Sequence, residues 1–222
     1  MVEQGFCKPQ VGSSSLSAGT IDTMQEFKDI TSYDFTDAPA DIKSLIHCIN
    51  LQGKNLVGLE LGVFRGVSFC TVLQNCPNIK TLHGVDSWKP YKDYLKDPYD
   101  DKSWAYEMDQ KEIEYIKFQA LHTIKYSGYQ NKAVIHEKDS NEALQEFEDN
   151  SLDFIFIDTF LSYEQAVNDI KNWYPKVKQG GLFAGHDWHV SVIKRAVNDF
   201  RENNNIDSTL SSFDKCWVWK KY

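Results

Sequence analysis

Leu56-Val57-Gly58-Leu59-Glu60-Leu61-Gly62-Val63-Phe64-Arg65-Gly66 is the stretch on which the fold turns. Its first six residues form an apolar run of strand length, the next five a turn bounded by glycines, and Val67 to Gln74 beyond them suits a helix. A strand that enters a helix through such a turn is the opening unit of a parallel sheet. The alternation continues downstream. Thr81 to Val85 and Ala133-Val134-Ile135-His136 have strand character, and Leu152-Asp153-Phe154-Ile155-Phe156-Ile157 is nearly continuous in apolar residues, as a strand buried on both faces is. Tyr163 to Tyr174 reads as a helix with Ala166, Val167, Ile170 and Trp173 on one face. Pro175 and Gly180-Gly181 are expected to break the chain before a strand at Leu182-Phe183-Ala184. Val192 to Phe200 follows as an amphipathic helix and Cys216-Trp217-Val218-Trp219 as a closing strand. Upstream, Ile42, Leu45, Ile46 and Ile49 recur at helical spacing behind a helix start at Asp37-Ala38-Pro39-Ala40-Asp41. The fold class is α/β with a doubly wound, mostly parallel sheet.

Composition narrows the function. The chain has 222 residues, enough for one domain with a sizeable core. Its hydrophobic content of 41% is too high for a disordered chain. No apolar run approaches the roughly 20 residues of a membrane-spanning helix, so no membrane association is expected. The start, Met1 to Cys7, lacks a basic and then apolar leader, and the five cysteines are odd in number with no CxxC pair. These features predict a protein of the reducing cytoplasm without a disulfide framework. A net charge of −8 argues against a nucleic-acid partner held by its phosphates. Residues 1–35, with Gly12-Ser13-Ser14-Ser15, read as a flexible lead-in, and residues 36–222 as the functional domain.

One interval is too long for its topology. Between Asp86 and Ala133 lie 46 residues, where a crossover helix needs about a dozen. Glu112 to Tyr126 is the expected crossover helix, so Ser87 to about Gln110 is an insertion at the carboxyl end of the second strand. It is aromatic (Trp88, Tyr91, Tyr94, Tyr99, Trp104, Tyr106), and residues 93–114 carry eight acids against three bases. Ligands bind at that end of such sheets, which makes the insertion a lid or acceptor wall. A solvated surface excursion is the alternative.

The turn Glu60 to Gly66 is not the GxGxxG of dinucleotide sites, because Val63 and Phe64 stand where that turn clears a pyrophosphate. Asp86 ends the second strand 24 residues after Gly62, where an acid can accept both hydroxyls of a ribose. Adenosine without a pyrophosphate points to S-adenosylmethionine. The plainer alternative is that Asp86 caps the following turn.

These residues resemble class I S-adenosylmethionine-dependent methyltransferases. Glu60 to Gly66 is similar to their first motif, and Gly84-Val85-Asp86-Ser87-Trp88 to their second. Asp153 to Asp158, then Ser162-Tyr163-Glu164, Asp169-Ile170, Trp173, Pro175, Lys178, Gly180-Gly181 and Gly185-His186-Asp187, resemble the subfamily that includes bacterial small-molecule and sugar O-methyltransferases. The resemblance spans about residues 40–220. It implies a Rossmann-like seven-stranded sheet with an antiparallel last strand. It implies S-adenosylmethionine as cofactor, held by Glu60, Gly62, Phe64, Gly66, Asp86, Ser87, Trp88, Asp139, Ser140 and Asp158. It further implies a small-molecule acceptor, and a homodimer is the assembly considered. Asp158, His186 and Asp187 match the positions at which relatives bind a divalent metal.

Two departures bear on the chemistry. Asp158-Thr159-Phe160-Leu161 lacks the histidine many relatives carry after the fourth strand, and His186 stands where the best-known metal-dependent members have an acid. Mg²⁺ prefers oxygen, whereas imidazole suits transition metals. Removing an acceptor proton falls to His186, whose imidazole titrates near neutrality, with Asp158 as the alternative base. A structural hydrogen bond at the sheet rim is the other reading of His186. His189 sits nearer a loop, and His47, His83, His122 and His136 are expected to be structural. Two further functions stay open: a cofactor-binding domain without methyl transfer, and an NAD(P)-binding oxidoreductase.

Overall fold

Successive side chains of a strand face opposite ways, and β4 (Leu152–Ile157) shows what that alternation separates. Phe154 and Phe156 join one buried cluster, while Ile155 and Ile157 join another. A computed structural model describes residues 42–91, 108–159, 162–213 and 215–222. On the first face lie α1 (Lys43–Asn50), α2 (Val67–Asn75) and α3 (Gln110–Tyr126). On the second lie the short α4 (Ser140–Ala143), α5 (Tyr163–Trp173) and α6 (Ser191–Asn203). Between them the sheet has the order β3-β2-β1-β4-β5-β7-β6. Its other strands are β1 (Leu56–Leu61), β2 (Ile79–Asp86), β3 (Ala133–Glu137), β5 (Val177–Gly185), β6 (Ser211–Phe213) and β7 (Cys216–Lys220). The first five pair in parallel, and β7 runs antiparallel to both β5 and β6. The expected seven-stranded, doubly wound sheet is present. Its order reverses between β1 and β4, so the crevice for a ligand opens at their carboxyl ends.

The structure corrects local expectations. Gly180-Gly181 does not interrupt the chain before β5. Leu152 pairs with Val177 and Phe154 with Leu182, so β5 carries extra residues as a bulge inside one strand. Gly180 takes φ +78° there, and a Cβ on Gly181 would lie 2.8 Å from the Asp153 carbonyl oxygen. Helix α3 begins two residues before Glu112, because Asp109 caps it. The Asp109 carboxylate accepts from the amides of Lys111 and Glu112, and Glu112 Oε2 accepts from the Asp109 amide at 2.8 Å. The half-exposed polar strand β6 has no sequence signal, and its place depends on the free edge of β7.

The lead-in 1–35, the helix start at 37–41 and most of the 87–110 insertion lie outside the described residues. The insertion's two ends meet: Gln110 Nε2 donates to the Trp88 carbonyl at 3.4 Å. Cys48, Cys70 and Cys76 are free thiols. Among the described residues no helix is long and apolar enough to cross a membrane.

Candidate functional site

The turn after β1 is held by the neighbours it must approach. Gly62 sits at φ +84°, and a Cβ there would lie 1.9 Å from the Asp158 carbonyl oxygen. The glycine is required by the close passage of the turn against the end of β4, before any ligand is considered. Gly66 caps α2 at φ +78°. Between them Phe64 is also left-handed, at φ +50°, a costly conformation for an aromatic residue. Asp86 holds it there. Its Oδ2 accepts from the Phe64 amide at 2.8 Å, and its Oδ1 accepts from the Trp88 amide at 2.8 Å. Asp86 therefore does cap the turn that follows it, and fastens the turn after β1 as well. Burial raises its pKa and these amide bonds lower it. The Val63 amide also lowers it. Each carboxylate oxygen accepts at about two positions, so three amides still leave acceptor capacity.

Trp88 is buried, and its indole N–H donates to the Phe64 carbonyl at 2.9 Å. In this structure it ties Ser87 and the insertion's start to the glycine turn. Glu60, one residue before the end of β1, is 1% exposed. Ser68 Oγ donates to its Oε1 at 2.5 Å. Burial drives the Glu60 pKa well above the ordinary carboxylate range, the Ser68 bond opposes this, and Asp158 and Asp86 add to it. The carboxylates from β1, β2 and β4 are thus close enough to feel one another.

A second group stands at the ends of β4 and β5. His186 Nδ1 lies 3.1 Å from Asp187 Oδ1 and 3.5 Å from Asp158 Oδ1. Asp158, His186 and Asp187 each offer a ligand atom, and those atoms lie within 4.8 Å of one another. Parallel pairing of β4 with β5, Ile157 beside Gly185, brings the residues together. His186 is fixed through its backbone: its amide donates to the Ile157 carbonyl at 2.9 Å, and Trp217 Nε1 donates to its carbonyl at 3.0 Å. A Cβ on Gly185 would fall 2.2 Å from the Trp217 ring, so that glycine admits the indole. Asp187 turns the chain at φ +58°. His189 Nδ1 is farther, 3.9 Å from Asp187 Oδ1, on an exposed side chain. An apolar pocket lined by Ile157, Ala166, Ile170, Ile193 and Trp217 lies against this group.

Asp139 and Ser140 follow β3 at the same end of the sheet. Asp139 caps α4 by accepting from the Asn141 amide at 3.0 Å, and Ser140 is buried with its hydroxyl on Asp169 at 2.7 Å. The other histidines lie elsewhere. His83 Nδ1 and His136 Nε2 are 3.0 Å apart on β2 and β3, and His136 Nδ1 meets Glu146 at 2.5 Å.

Residues 59–188 match the family model described as a methyltransferase domain, and that span is more than half of the chain. The chain belongs to the methyltransferase domain family. The matched segment of this methyltransferase runs from within β1 to just past β5, and of the site residues named above only His189, Ile193 and Trp217 lie beyond it. Comparison with curated proteins finds no match. Solved structures share its fold. The O-methyltransferase NovP is 20% identical with a TM-score of 0.60, covering 81% of this chain and 78% of its own. Cofactor-bound Rv0187 from MTB is 11% identical with a TM-score of 0.59, covering 92% and 90%. A Staphylococcus aureus protein assigned as a caffeoyl-CoA O-methyltransferase is 17% identical with a TM-score of 0.56, covering 91% and 92%.

Membership implies S-adenosylmethionine as the methyl donor, and the donor set suits it. Glu60, Asp86 and Asp158 gather carboxyl groups at one edge of the sheet, close enough for Asp158 and Asp86 to help raise the Glu60 pKa, and their oxygens can accept from a ligand's ammonium or hydroxyl groups. Trp217, Thr159 and Asp169 stand within the stretches quoted from the sequence, but nothing local gives them a part in the site. Trp217 reaches the site only through antiparallel pairing with Gly185, and the other two only through hydrogen bonds.

Proposed function

We propose that this methyltransferase O-methylates a small molecule, a sugar or another hydroxyl compound, with His186 taking the hydroxyl proton. The observation that carries this reading is the imidazole between two carboxylates at the β4 and β5 ends, directly beside the glycine turn. A proton on Nδ1 shared with Asp187 and Asp158 sets the tautomer and makes Nε2 the nitrogen that accepts the substrate proton. When bound, the cofactor supplies an electrophilic methyl on sulfur and leaves as a neutral thioether. His186 would take the proton that the acceptor hydroxyl gives up as its oxygen gains that methyl. Glu60, Gly62, Phe64 and Gly66 would border the methionine end, Asp86, Ser87 and Trp88 the ribose, and Asp139 and Ser140 the adenine. The aromatic insertion would wall the acceptor.

A second reading rests on the 4.8 Å spacing of ligand atoms in Asp158, His186 and Asp187. Those residues would hold a divalent cation that lowers the pKa of the acceptor hydroxyl. One imidazole and two carboxylates suit Mn²⁺ or Zn²⁺ better than Mg²⁺. The test is turnover of a hydroxyl-compound panel after exhaustive chelation, with add-back of each ion. His186→Ala should lower kcat by about 10²- to 10⁴-fold. Full turnover in the chelated protein leaves His186 as a metal-free base. Turnover restored only by an added ion establishes the metal. Transfer to nitrogen or carbon acceptors alone would overturn O-methylation.

A further inference from the structure

Asp169 lies in the middle of α5 with 0% of its surface exposed. Its helix face is otherwise apolar, with Ala166, Ile170 and Trp173 buried beside it. An apolar residue there would pack the helix on the sheet without the cost of desolvating a carboxylate. The carboxylate instead collects donors from separate elements. Its Oδ1 accepts from Ser140 Oγ at 2.7 Å and from Gln165 Nε2 at 3.0 Å, and its Oδ2 accepts from Thr159 Oγ1 at 2.8 Å. Gln165 stands one turn earlier on α5 and also reaches Ser140 Oγ at 3.4 Å. Burial raises the Asp169 pKa, and the three bonds oppose the rise.

The two outside donors decide what this does. Ser140 follows Asp139 at the carboxyl end of β3, and Thr159 follows Asp158 at the carboxyl end of β4. Those ends are not adjacent, because β2 and β1 lie between them in the sheet. Sheet hydrogen bonds therefore cannot set one loop directly against the other. We propose that Asp169 is a positioning residue whose carboxylate locks the loop after β3 and the loop after β4 into one arrangement. Asp158 beside the transferred methyl and Asp139-Ser140 beside the adenine are then placed together. The consequence for ligand binding rests on the methyl-transfer reading above, whereas the coupling of the two loops does not.

Two kinds of measurement separate those claims. Hydrogen exchange is followed at the amide of Ala143, bonded to the Asp139 carbonyl at 3.0 Å, and at that of Asp158, bonded to the Leu61 carbonyl at 2.8 Å. Thr159→Val keeps the side-chain shape and should speed exchange at Ala143, in the loop it does not touch. Ser140→Ala should speed exchange at Asp158. Changes confined to the mutated loop in both variants overturn the proposal. Asp169→Asn replaces an acceptor oxygen with a donor and should speed exchange at both amides. It should also weaken S-adenosylhomocysteine binding about tenfold by calorimetry. A lowered melting temperature with unchanged affinity and unchanged exchange would make Asp169 structural only, and overturn the proposal. Absence of S-adenosylhomocysteine binding in the unaltered protein would count against the methyl-transfer site, and the exchange results would still decide the coupling. Should Asp169→Asn fail to fold, the two single-hydroxyl variants carry the decision.

Discussion

At the amino end of the sheet, acids meet lysines; at the carboxyl end, Glu60, Asp86 and Asp169 meet neutral donors, and Lys117 and Lys138 pair with the exposed Glu137 and Glu146. Asp153 Oδ1 accepts from Lys178 Nζ at 2.7 Å, and Asp149 accepts from Lys176 Nζ at 2.8 Å. The buried Lys221 spends its ammonium on the carbonyls of Tyr174, Pro175 and Val177 at 3.1, 3.2 and 2.7 Å. Glu60, Asp86 and Asp169, at or near the other end, take hydroxyl, amide and carboxamide donors instead. Backbone strain follows the same division. Left-handed residues in the turns before β1 and before β4 are Asn55 and Asn150, a residue type that tolerates the conformation. Those at the carboxyl end are Phe64, Trp88 and Asp187. One end is arranged to keep the sheet closed. The other holds carboxyl groups whose pKa burial raises, together with costly backbone, features that cluster at functional sites.

The comparison can be broken at either end. The largest effect is expected for Asp86→Ala, which removes the proposed ribose acceptors and also releases the Phe64 and Trp88 amides. Affinity for S-adenosylhomocysteine should fall about 100-fold, from two charge-assisted bonds of about 1.5–3 kcal/mol each with partial compensation. Calorimetry showing unchanged affinity would remove Asp86 from the ligand site and leave it as a turn fastener. Lys221→Met tests the opposite end. Three carbonyls lose their donor, so urea unfolding should register a loss of about 2 kcal/mol. Methyl transfer at temperatures below the transition should stay intact; lost turnover in a folded variant would break the division of roles.

The smallest effect, and the sharpest in sign, belongs to Glu60→Gln. Burial raises the Glu60 pKa in the folded chain. Its stabilising contribution is complete below the unfolded value, near 4.5, and is lost as pH rises through the folded value. Glutamine does not titrate and can still accept from Ser68. The variant should therefore melt higher than the parent above pH 4.5, by a margin that grows until the folded value is passed and then stays constant, while binding S-adenosylhomocysteine more weakly. Melting curves that stay parallel at every pH would show that Glu60 carries no such cost.

Much of this was legible in order along the chain. The run at Leu152 to Ile157 marks a strand covered on both sides because no residue after Asp153 suits water, and the clusters on its two faces agree. The turn Gly62 to Gly66 is visible as glycine at positions needing positive φ. The reason for Gly62 was not visible: the atom it avoids belongs to Asp158, far away in sequence. Trp88 reads as a residue beside the cofactor, and its burial and bond to Phe64 add an anchoring role that the sequence did not show. Gly180-Gly181 read as a break, since local propensity cannot show that a neighbouring strand will pair across a bulge.

By itself, the order of apolar runs, glycines and helical periods determined the α/β class, the parallel sheet and the carboxyl edge as the place for chemistry. It also supplied the identities of Glu60, Asp86, Asp158, His186 and Asp187. Only the tertiary structure decided which of them meet. Distances between side chains on different strands depend on pairing and register, so His186 comes to Asp158 through β4 and β5, and Trp217 to His186 through β5 and β7. Asp169 is visible as part of the resemblance, but its burial and its donors 29 and 10 residues away are not, because they depend on packing that local sequence does not show.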